Sequence, residues 1–130
     1  IAAHAPLYPP IEALEIGQDR LREKTFAADC GGRTADWAKV ESRADLDAAL
    51  AQIGTPAILK TTRFGYDGKG QRRVASLAEA EAAFAALRPH PLVLEALVPF
   101  EREISVVIAR GLDGAHDGPG AHRSRASGYR

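Results

Sequence analysis

The chain has 130 residues, of which 45% are hydrophobic and 26% charged, and its seventeen basic residues balance seventeen acidic ones. This composition predicts one globular domain, or one small lobe with the edge of another. It excludes a whole-molecule attraction to nucleic acid or to an acidic membrane, and no apolar run reaches the roughly 18 to 20 residues of a membrane-spanning helix.

The start of the sequence predicts a fragment, and its cysteine content predicts a reducing compartment. The chain starts at Ile1 and contains no methionine, so we expect it to be part of a longer protein. The single cysteine, Cys30, excludes an internal disulfide and suits the cytoplasm. We expect Cys30 to be a half-buried packing residue.

The first predicted helix lies near the N-terminus. Pro6, Pro9 and Pro10 disfavour helix, so residues 1–11 are predicted to be extended. A helix is predicted over residues 18–28, and the glycine pair at 31–32 ends it.

Two further helices are predicted, each from a serine that an acid follows three residues later. Ser42 with Asp45 begins one helix, which Gly54 ends, and Ser76 with Glu79 begins the other. Apolar residues recur at helical spacing in both. They are Leu46, Ala49, Leu50 and Ile53 in the first, and Leu77, Ala80, Phe84 and Leu87 in the second.

Short apolar runs predict the strands. The runs cover residues 57–61, 92–95 and 104–108, and shorter strands lead to Val40 and Val74. The order of helices and strands predicts an α+β lobe, in which a small sheet carries helices on one face.

The segment after the strand at residues 57–61 has the composition of an anion-binding loop. Gly65, Gly68 and Gly70 allow the backbone to approach a ligand closely, and successive N–H groups in such a loop bind anions. Lys69 and Lys60 add positive charge. The pattern is neither a Walker A loop nor a dinucleotide-binding loop.

Asp67 leaves alternatives open. Asp67-Gly68 is also a signal for a two-residue hairpin turn, so the loop alone favours phosphate binding and an ordinary turn about equally. A carboxylate beside phosphates would repel them, so Asp67 must hold the loop backbone, pair with Arg63 or face an amine on a substrate.

Two acids flank an apolar connector later in the chain. Glu95 and Glu103 on either side of such a connector fit recognition of a planar ring, its amino group and ribose hydroxyls. Taken alone, each acid is more simply a solvated edge residue, and Arg20 with Lys24 is more simply a solvated basic face. The four histidines lack metal-ligand spacing.

Three segments together carry a family resemblance. They are the helical stretch 18–24, the loop 65–71 after an Ile-Leu-Lys strand end, and the run from Leu94-Glu95 to residues 103–106. In this combination the chain closely resembles N5-carboxyaminoimidazole ribonucleotide synthetase, a family of the ATP-grasp superfamily, over residues 10–114. Biotin carboxylase and other sister ligases carry different residues at the Tyr-Asp position of the loop.

The resemblance implies an ATP-grasp small subdomain, which acts as a lid, plus the first strands of the large subdomain. It divides the chain into a lead-in at 1–17, the small subdomain at 18–91, the first strands of the large subdomain at 92–110 and a disordered or aberrant tail at 111–130. It implies that lysines and loop amides hold phosphates, that Glu95 with the following backbone reads adenine, and that Glu103 holds ribose. The implied ATP-binding residues are Arg20, Lys60, Gly65, Tyr66, Asp67, Gly68, Lys69, Gly70, Gln71, Glu95, Ala96, Leu97, Val98 and Glu103.

The resemblance also implies a reaction. ATP and bicarbonate would carboxylate 5-aminoimidazole ribonucleotide in purine biosynthesis, with Mg²⁺ whose acidic ligands lie outside this chain, in a cytoplasmic enzyme that is typically a homodimer. We therefore expect no turnover from this chain alone. The alternatives are a non-catalytic ATP-binding module, another ATP-grasp ligase such as a biotin-carboxylase-like enzyme, and an α+β fold without a ligand.

Overall fold

The computed structural model describes residues 8–63, 69–111 and 116–117. The chain divides after Leu97 into two compact units, Ile1–Leu97 and Val98–Arg130. The helices of the first unit are α1 (Ile11–Gly17), α2 (Arg20–Asp29), α3 (Arg43–Ile53) and α4 (Leu77–Leu87). Its strands are β1 (Trp37–Val40), β2 (Ala57–Thr61), β3 (Gln71–Val74) and β4 (Leu92–Ala96).

The four strands form one antiparallel sheet in the order β1-β4-β2-β3. The central strand β4 is buried on both faces, which explains why Leu92, Val93 and Leu94 form an uninterrupted apolar run. Because β4 lies between β1 and β2, it belongs to the sheet of the first unit. This arrangement of helices and an antiparallel sheet confirms the predicted α+β class.

One face of the sheet packs against α3 and α4. Residues of β2 alternate, so Ala57 and Leu59 point into this core and Lys60 points to the opposite face. The core consists of Val40, Leu46, Ala49, Ala57, Leu59, Val74, Ala80, Ala83, Phe84, Leu87, Leu92 and Leu94.

The helix ends follow local side-chain chemistry. Ser42 and Asp45 form a reciprocal capping box at the start of α3, as predicted. At the end of α2, Gly31 adopts a φ of 77° and the N–H of Gly32 donates to the carbonyl of Ala27 at 2.7 Å, so the glycine pair ends the helix as predicted.

The start of α4 corrects two details of the prediction. Ser76 caps the helix, but the Glu79 carboxylate accepts from the N–H of Ala75 rather than from that of Ser76, so the box is not reciprocal. Leu77, expected on the apolar face, is exposed. It lies in the first turn, before the helix reaches the sheet, and the buried face begins at Ala80.

The extended structure predicted for residues 1–11 was wrong at Ile11, where α1 begins, and no helix was predicted over residues 12–17. Pro10 is its N-cap, whose carbonyl accepts from the N–H of Leu14 at 3.3 Å and whose missing N–H is not needed there. Glu12 in the first turn suits the positive end of the helix dipole. Prolines before a helix therefore did not exclude it. The prediction for residues 1–7 lies outside the described residues.

The second unit differs from the strand predicted at residues 104–108. These residues form only an isolated bridge at Ser105, and Ile104, Val106 and Ile108 are all exposed. Alternation of apolar residues predicts a strand only where a partner strand and a core exist, and the described residues supply neither here.

Two residues of the predicted tail at 111–130 lie in a described strand. His116–Asp117 form a two-residue strand, β6, which pairs antiparallel with β5 (Ala109–Arg110). Residues 112–115 and 118–130 lie outside the described part of the chain, so the disorder predicted for them stays a prediction.

Candidate nucleotide site

The face of the sheet opposite α3 and α4 carries a cluster of charged residues. Glu95 on β4 lies opposite Trp37 on β1 and Ile58 on β2, so its side chain shares a face with that of Lys60 two positions further along β2. The pairing of three strands thus places an acid and a base on one surface, at residues 35 positions apart in sequence.

Glu95 is the centre of a three-residue ion cluster, hereafter the Lys24–Glu95–Lys60 cluster. The Lys60 Nζ lies 2.8 Å from Glu95 Oε2, and the Lys24 Nζ lies 3.3 Å from Glu95 Oε1. The side chains of Lys24, Lys60 and Glu95 are only 12%, 17% and 10% exposed. Two ammonium groups therefore share one carboxylate in a largely desolvated position.

This cluster contradicts two simple interpretations of the sequence. Glu95 is not a solvated edge acid, because it is buried and paired on both oxygens. Arg20 and Lys24 are not a solvated basic face, because Lys24 joins the cluster and the Arg20 Nε donates to the carbonyl of Thr61 at 3.1 Å.

Arg20 also joins helix α2 to the end of β2. Its backbone N–H donates to the carbonyl of Thr62 at 3.0 Å, in addition to the bond from its side chain to Thr61. The guanidinium of Arg20 is thereby placed at the point where β2 leads into the glycine loop. Lys24 lies one helical turn further along α2, on the same side of the helix.

Asp19 forms the N-cap of α2 and connects it to the stem of the glycine loop. Its carboxylate accepts from the N–H groups of Leu21 and Arg22, and the Arg63 Nε donates to its Oδ2 at 3.0 Å. Burial by itself would raise the pKa of Asp19, but the bond from Arg63 and those from the two N–H groups outweigh it and hold the pKa below its ordinary value.

Thr61, at the end of β2, has an unusual side chain. Its hydroxyl points to the core face, the residue is 5% exposed, and among the described residues its Oγ1 has no hydrogen-bond partner. Sequence reasoning placed Thr61 in a strand and did not predict a buried, unsatisfied hydroxyl.

The glycine loop connects two antiparallel strands. Lys60 lies opposite Gln71, and the N–H of Thr61 donates to the carbonyl of Gly70 at 2.8 Å, so the connection spans residues 62–70. The connection between the described strands is thus longer than two residues, and the turn predicted at Asp67-Gly68 lies outside the described residues. Gly70 adopts a φ of 72°, a positive value that glycine tolerates readily and that the sequence predicted for glycines of this loop.

Several predicted loop residues lie outside the described part of the chain. They are Gly65, Tyr66, Asp67 and Gly68. The neighbouring Lys69 is exposed near the end of the connection, and Gln71 is half-buried at the start of β3. Of the alternatives for Asp67, the described contacts show one partner of Arg63, which is Asp19.

The predicted adenine-binding backbone is divided between the two units. The N–H of Ala96 donates to the carbonyl of Asp36 at 2.8 Å, and that of Leu97 to the carbonyl of Pro56 at 3.4 Å. These two N–H groups are used within the first unit. Val98 and Glu103 belong to the second unit, where both are exposed.

Three further observations concern metal ligands, the cysteine and membrane helices in the described residues. No group of three or more potential metal ligands occurs among them. Cys30 is exposed, so the prediction of a half-buried packing residue was wrong. In the part of the chain that the structure describes, no helix is long and apolar enough to cross a membrane.

Lys24 is the one member of the cluster to which sequence reasoning gave no function. The available signal was its spacing of four residues from Arg20, which places both on one side of a helix. That spacing is common on solvated helices, so it did not reveal the contact with Glu95.

The fold agrees with a match to a known family. Residues 25–122 match the ATP-grasp domain, so the chain belongs to the ATP-grasp family.

Within that family, the relatives and neighbouring structures confirm the resemblance to the synthetase. An N5-carboxyaminoimidazole ribonucleotide synthase of Pseudomonas aeruginosa is 48% identical over 114 residues, which are 88% of this chain and 32% of that protein. The crystal structure of N5-carboxyaminoimidazole ribonucleotide synthetase from Thermus thermophilus has a TM-score of 0.88 and 41% identity, over 98% of this chain and 34% of that one.

A third match was determined with a nucleotide. The N5-carboxyaminoimidazole synthetase of Staphylococcus aureus, complexed with ADP, has a TM-score of 0.83 and 27% identity over 87% of this chain and 30% of that one. The chain thus spans about one third of the length of the relatives that it matches.

Proposed function

We propose that this chain is the nucleotide-binding lobe of a ligase that uses ATP and bicarbonate to carboxylate 5-aminoimidazole ribonucleotide. The products would be N5-carboxyaminoimidazole ribonucleotide, ADP and phosphate, in de novo purine biosynthesis. The relatives that cover most of this chain carry the synthase name, and a neighbouring structure holds ADP.

The observation that carries the proposal is the Lys24–Glu95–Lys60 cluster on the face of the sheet opposite α3 and α4. Two largely buried ammonium groups share one carboxylate there, so the cluster has an excess of positive charge that an anion can neutralise. The strand that carries Lys60 leads directly into the glycine loop. Charge and loop together suit a polyphosphate better than an uncharged ligand.

The proposed roles follow from this placement. Lys60, Lys69 and the amides of residues 65–70 would hold phosphates, and Arg20 would lie beside them at the start of the loop. Adenine would be read near Glu95 and the carbonyl side of Ala96 and Leu97, since their N–H groups are used within the lobe. The remaining predicted ATP-binding residues, Tyr66, Asp67, Gln71, Val98 and Glu103, keep the roles that the resemblance implies.

The lobe would contribute position and charge to the reaction. Phosphoryl transfer from ATP to bicarbonate gives carboxyphosphate and ADP. The exocyclic amine of 5-aminoimidazole ribonucleotide then takes the carbon, directly or as released carbon dioxide, as the bond from that carbon to the phosphate oxygen breaks and phosphate leaves. Fixed ammonium groups stabilise charge on the transferring phosphoryl group without reorganising at the moment of reaction. Mg²⁺ would accompany ATP, and the described residues hold no set of acids to bind it.

The proposal includes the cellular setting. A cytoplasmic enzyme that assembles as a homodimer is expected from the resemblance. These assignments are separate from the ATP-binding proposal and do not affect its test.

ATP binding is the first test, by calorimetric titration of the chain with ATP. We expect saturable binding that weakens at least about tenfold in Lys60→Ala and in Lys69→Ala. The exposed Arg22, which pairs with Glu15 on the surface, provides the control variant Arg22→Ala, with unchanged affinity. The absence of heat at millimolar ATP in the folded parent would contradict the proposal.

The substrate class needs a second test, in a chimera. Residues 10–111 replace the corresponding segment of the Pseudomonas aeruginosa relative, and release of ADP is measured with and without 5-aminoimidazole ribonucleotide and bicarbonate. We expect ADP release that requires both. A folded chimera that binds ATP but shows no such dependence would refute the substrate assignment and leave ATP binding in place.

A further inference from the structure

Lys24 occupies a position that ATP binding alone does not explain. It is on α2, whereas Glu95 and Lys60 are on neighbouring strands of the sheet, and its Nζ reaches the Glu95 Oε1 at 3.3 Å. Its side chain is 12% exposed. A lysine seldom loses this much water unless a charge partner offsets the cost.

The two lysines do not hold Glu95 in the same way. Lys60 makes the shorter contact, 2.8 Å to Oε2, and Lys24 the longer one to the other oxygen. An ammonium group has three N–H donors, so Lys60 can keep one on Glu95 and still offer donors to a second anion. Its single positive charge, however, would be divided between the carboxylate and a phosphate if Lys60 were the sole counter-ion of Glu95.

A buried carboxylate beside a phosphate would also repel it. The repulsion between unit charges a few ångströms apart is several times stronger at a protein surface than in bulk water. A second ammonium on Glu95 removes most of this effect. The pairing with Lys24 therefore changes what Lys60 can do for an anion.

We infer that Lys24 is a positioning residue of the nucleotide site, which neutralises the Glu95 carboxylate so that Lys60 is available to a phosphate of the nucleotide. This inference rests on the proposed ATP binding. Lys24 acts through Glu95 and makes no contact with the nucleotide itself. Its loss should therefore weaken binding of phosphate-bearing ligands only while Glu95 keeps its charge.

The test is a double-mutant cycle on the chain, with ATP affinity measured by calorimetry. Lys24→Met removes the charge and keeps most of the side-chain volume, and Glu95→Gln removes the charge that Lys24 neutralises. We expect Lys24→Met to weaken ATP binding about tenfold in the parent, equivalent to about 1.4 kcal/mol. In the Glu95→Gln background the same substitution should change affinity by less than about twofold.

Further variants separate positioning from a general loss of structure. Lys24→Arg keeps the positive charge and should restore ATP affinity to within about threefold of the parent. Arg22→Met, on the same helix and exposed in its pair with Glu15, should leave affinity unchanged. Adenosine, which has no phosphate, should bind the parent and Lys24→Met equally in a competition assay.

The only tryptophan provides an independent signal. Trp37 lies directly opposite Glu95 in the pairing of β1 with β4, so ligand binding at this face should change its fluorescence. The same titrations followed by fluorescence should give the same ratios of affinity among the variants. Thermal unfolding of each variant without ligand confirms that it is folded before titration.

The possible outcomes distinguish the inference from the proposed function. If the parent binds ATP and Lys60→Ala weakens it, but Lys24→Met does not, the positioning role is refuted and ATP binding stands. An equal loss in both backgrounds of Glu95 would mean that Lys24 contacts the nucleotide directly, which also refutes it. A folded parent that binds no ATP refutes the proposed function and with it this inference.

Discussion

The two faces of the four-stranded sheet are made by alternate residues of the same strands, yet one is an apolar core and the other holds buried charges. On β2, Leu59 is fully buried against α3 and α4, and its neighbour Lys60 pairs with Glu95 on the opposite face. The apolar face stabilises the fold through area removed from water. The charged face contributes little net stability, because desolvation offsets the attraction between its ions. We therefore attribute the presence of buried charges there to function.

The largest expected effect comes from the apolar face. Leu59→Ala should lower the free energy of unfolding by about 2 to 5 kcal/mol, because it leaves a cavity in the core. Denaturant unfolding measures this. Below the transition, the remaining folded protein should bind ATP as the parent does, and a selective loss of affinity without a loss of stability would contradict the division between the faces.

The neighbouring substitution should give the opposite result. Lys60→Ala should weaken ATP binding at least about tenfold and should destabilise the fold less than Leu59→Ala, since Glu95 keeps Lys24 as its partner. Titration and unfolding of the same sample measure both quantities. A large loss of stability with unchanged affinity would show that Lys60 is structural.

A smaller effect is expected at Thr61, where a polar group lies on the apolar face. Its hydroxyl is buried and, among the described residues, unsatisfied, so Thr61→Val should raise the free energy of unfolding by about 1 kcal/mol. Chemical denaturation at constant pH tests this. Thr61→Ser is the control, since it keeps the hydroxyl and should not stabilise the fold. If Thr61→Val lowered the free energy of unfolding, the hydroxyl would have a hydrogen-bond partner and the prediction would be wrong.

The smallest effect concerns how the free energy of unfolding depends on pH through Asp19, the N-cap of α2. The pKa of Asp19 is lowered in the folded state, so its contribution to stability is complete above the ordinary pKa of aspartate, about 3.9, and is lost as the pH falls through the lower folded value. Asp19→Asn should therefore show a shallower loss of stability below about pH 4 than the parent.

Asp45 offers a comparison for that measurement. Its pKa is lowered by the N–H of Glu41 and by the hydroxyl and N–H of Ser42, so Asp45→Asn should also flatten the acid side of the profile, and the two substitutions should be additive because the sites are separate. Acid unfolding curves that coincide with those of the parent would contradict the assignment of Asp19.

Most helices and strands could be predicted from the sequence, because their signals are local. The capping of α3 by Ser42 and the strand before Lys60 follow from residues within one or two turns of each other. The strand predicted at 104–108 was wrong because its formation depends on residues elsewhere in the chain. Alternating apolar residues form a strand only beside a partner strand and over a core, and the alternating residues themselves specify neither.

The candidate site was predictable in part. The glycine loop and its lysines were predicted from composition. Glu95 was a possible ring-binding acid from its position, and the resemblance favoured this role and added Arg20. Lys24 was missed, and Glu95 taken alone was interpreted as solvated, because burial of a charge depends on which residues the fold brings to it. No residue near Lys24 in sequence indicates that its side chain will contact a carboxylate on a distant strand.

Local patterns along the chain were therefore enough for the fold class, the start of α3 and the end of α2, since hydrogen bonds and periodicity there involve residues only a few positions apart. The order of strands, with β4 between β1 and β2, was decided by packing. That order places Glu95 beside Lys60, and the docking of α2 adds Lys24. Charges so far apart in sequence share a desolvated position only after the sheet has assembled around them, which is why only the tertiary contacts reveal them.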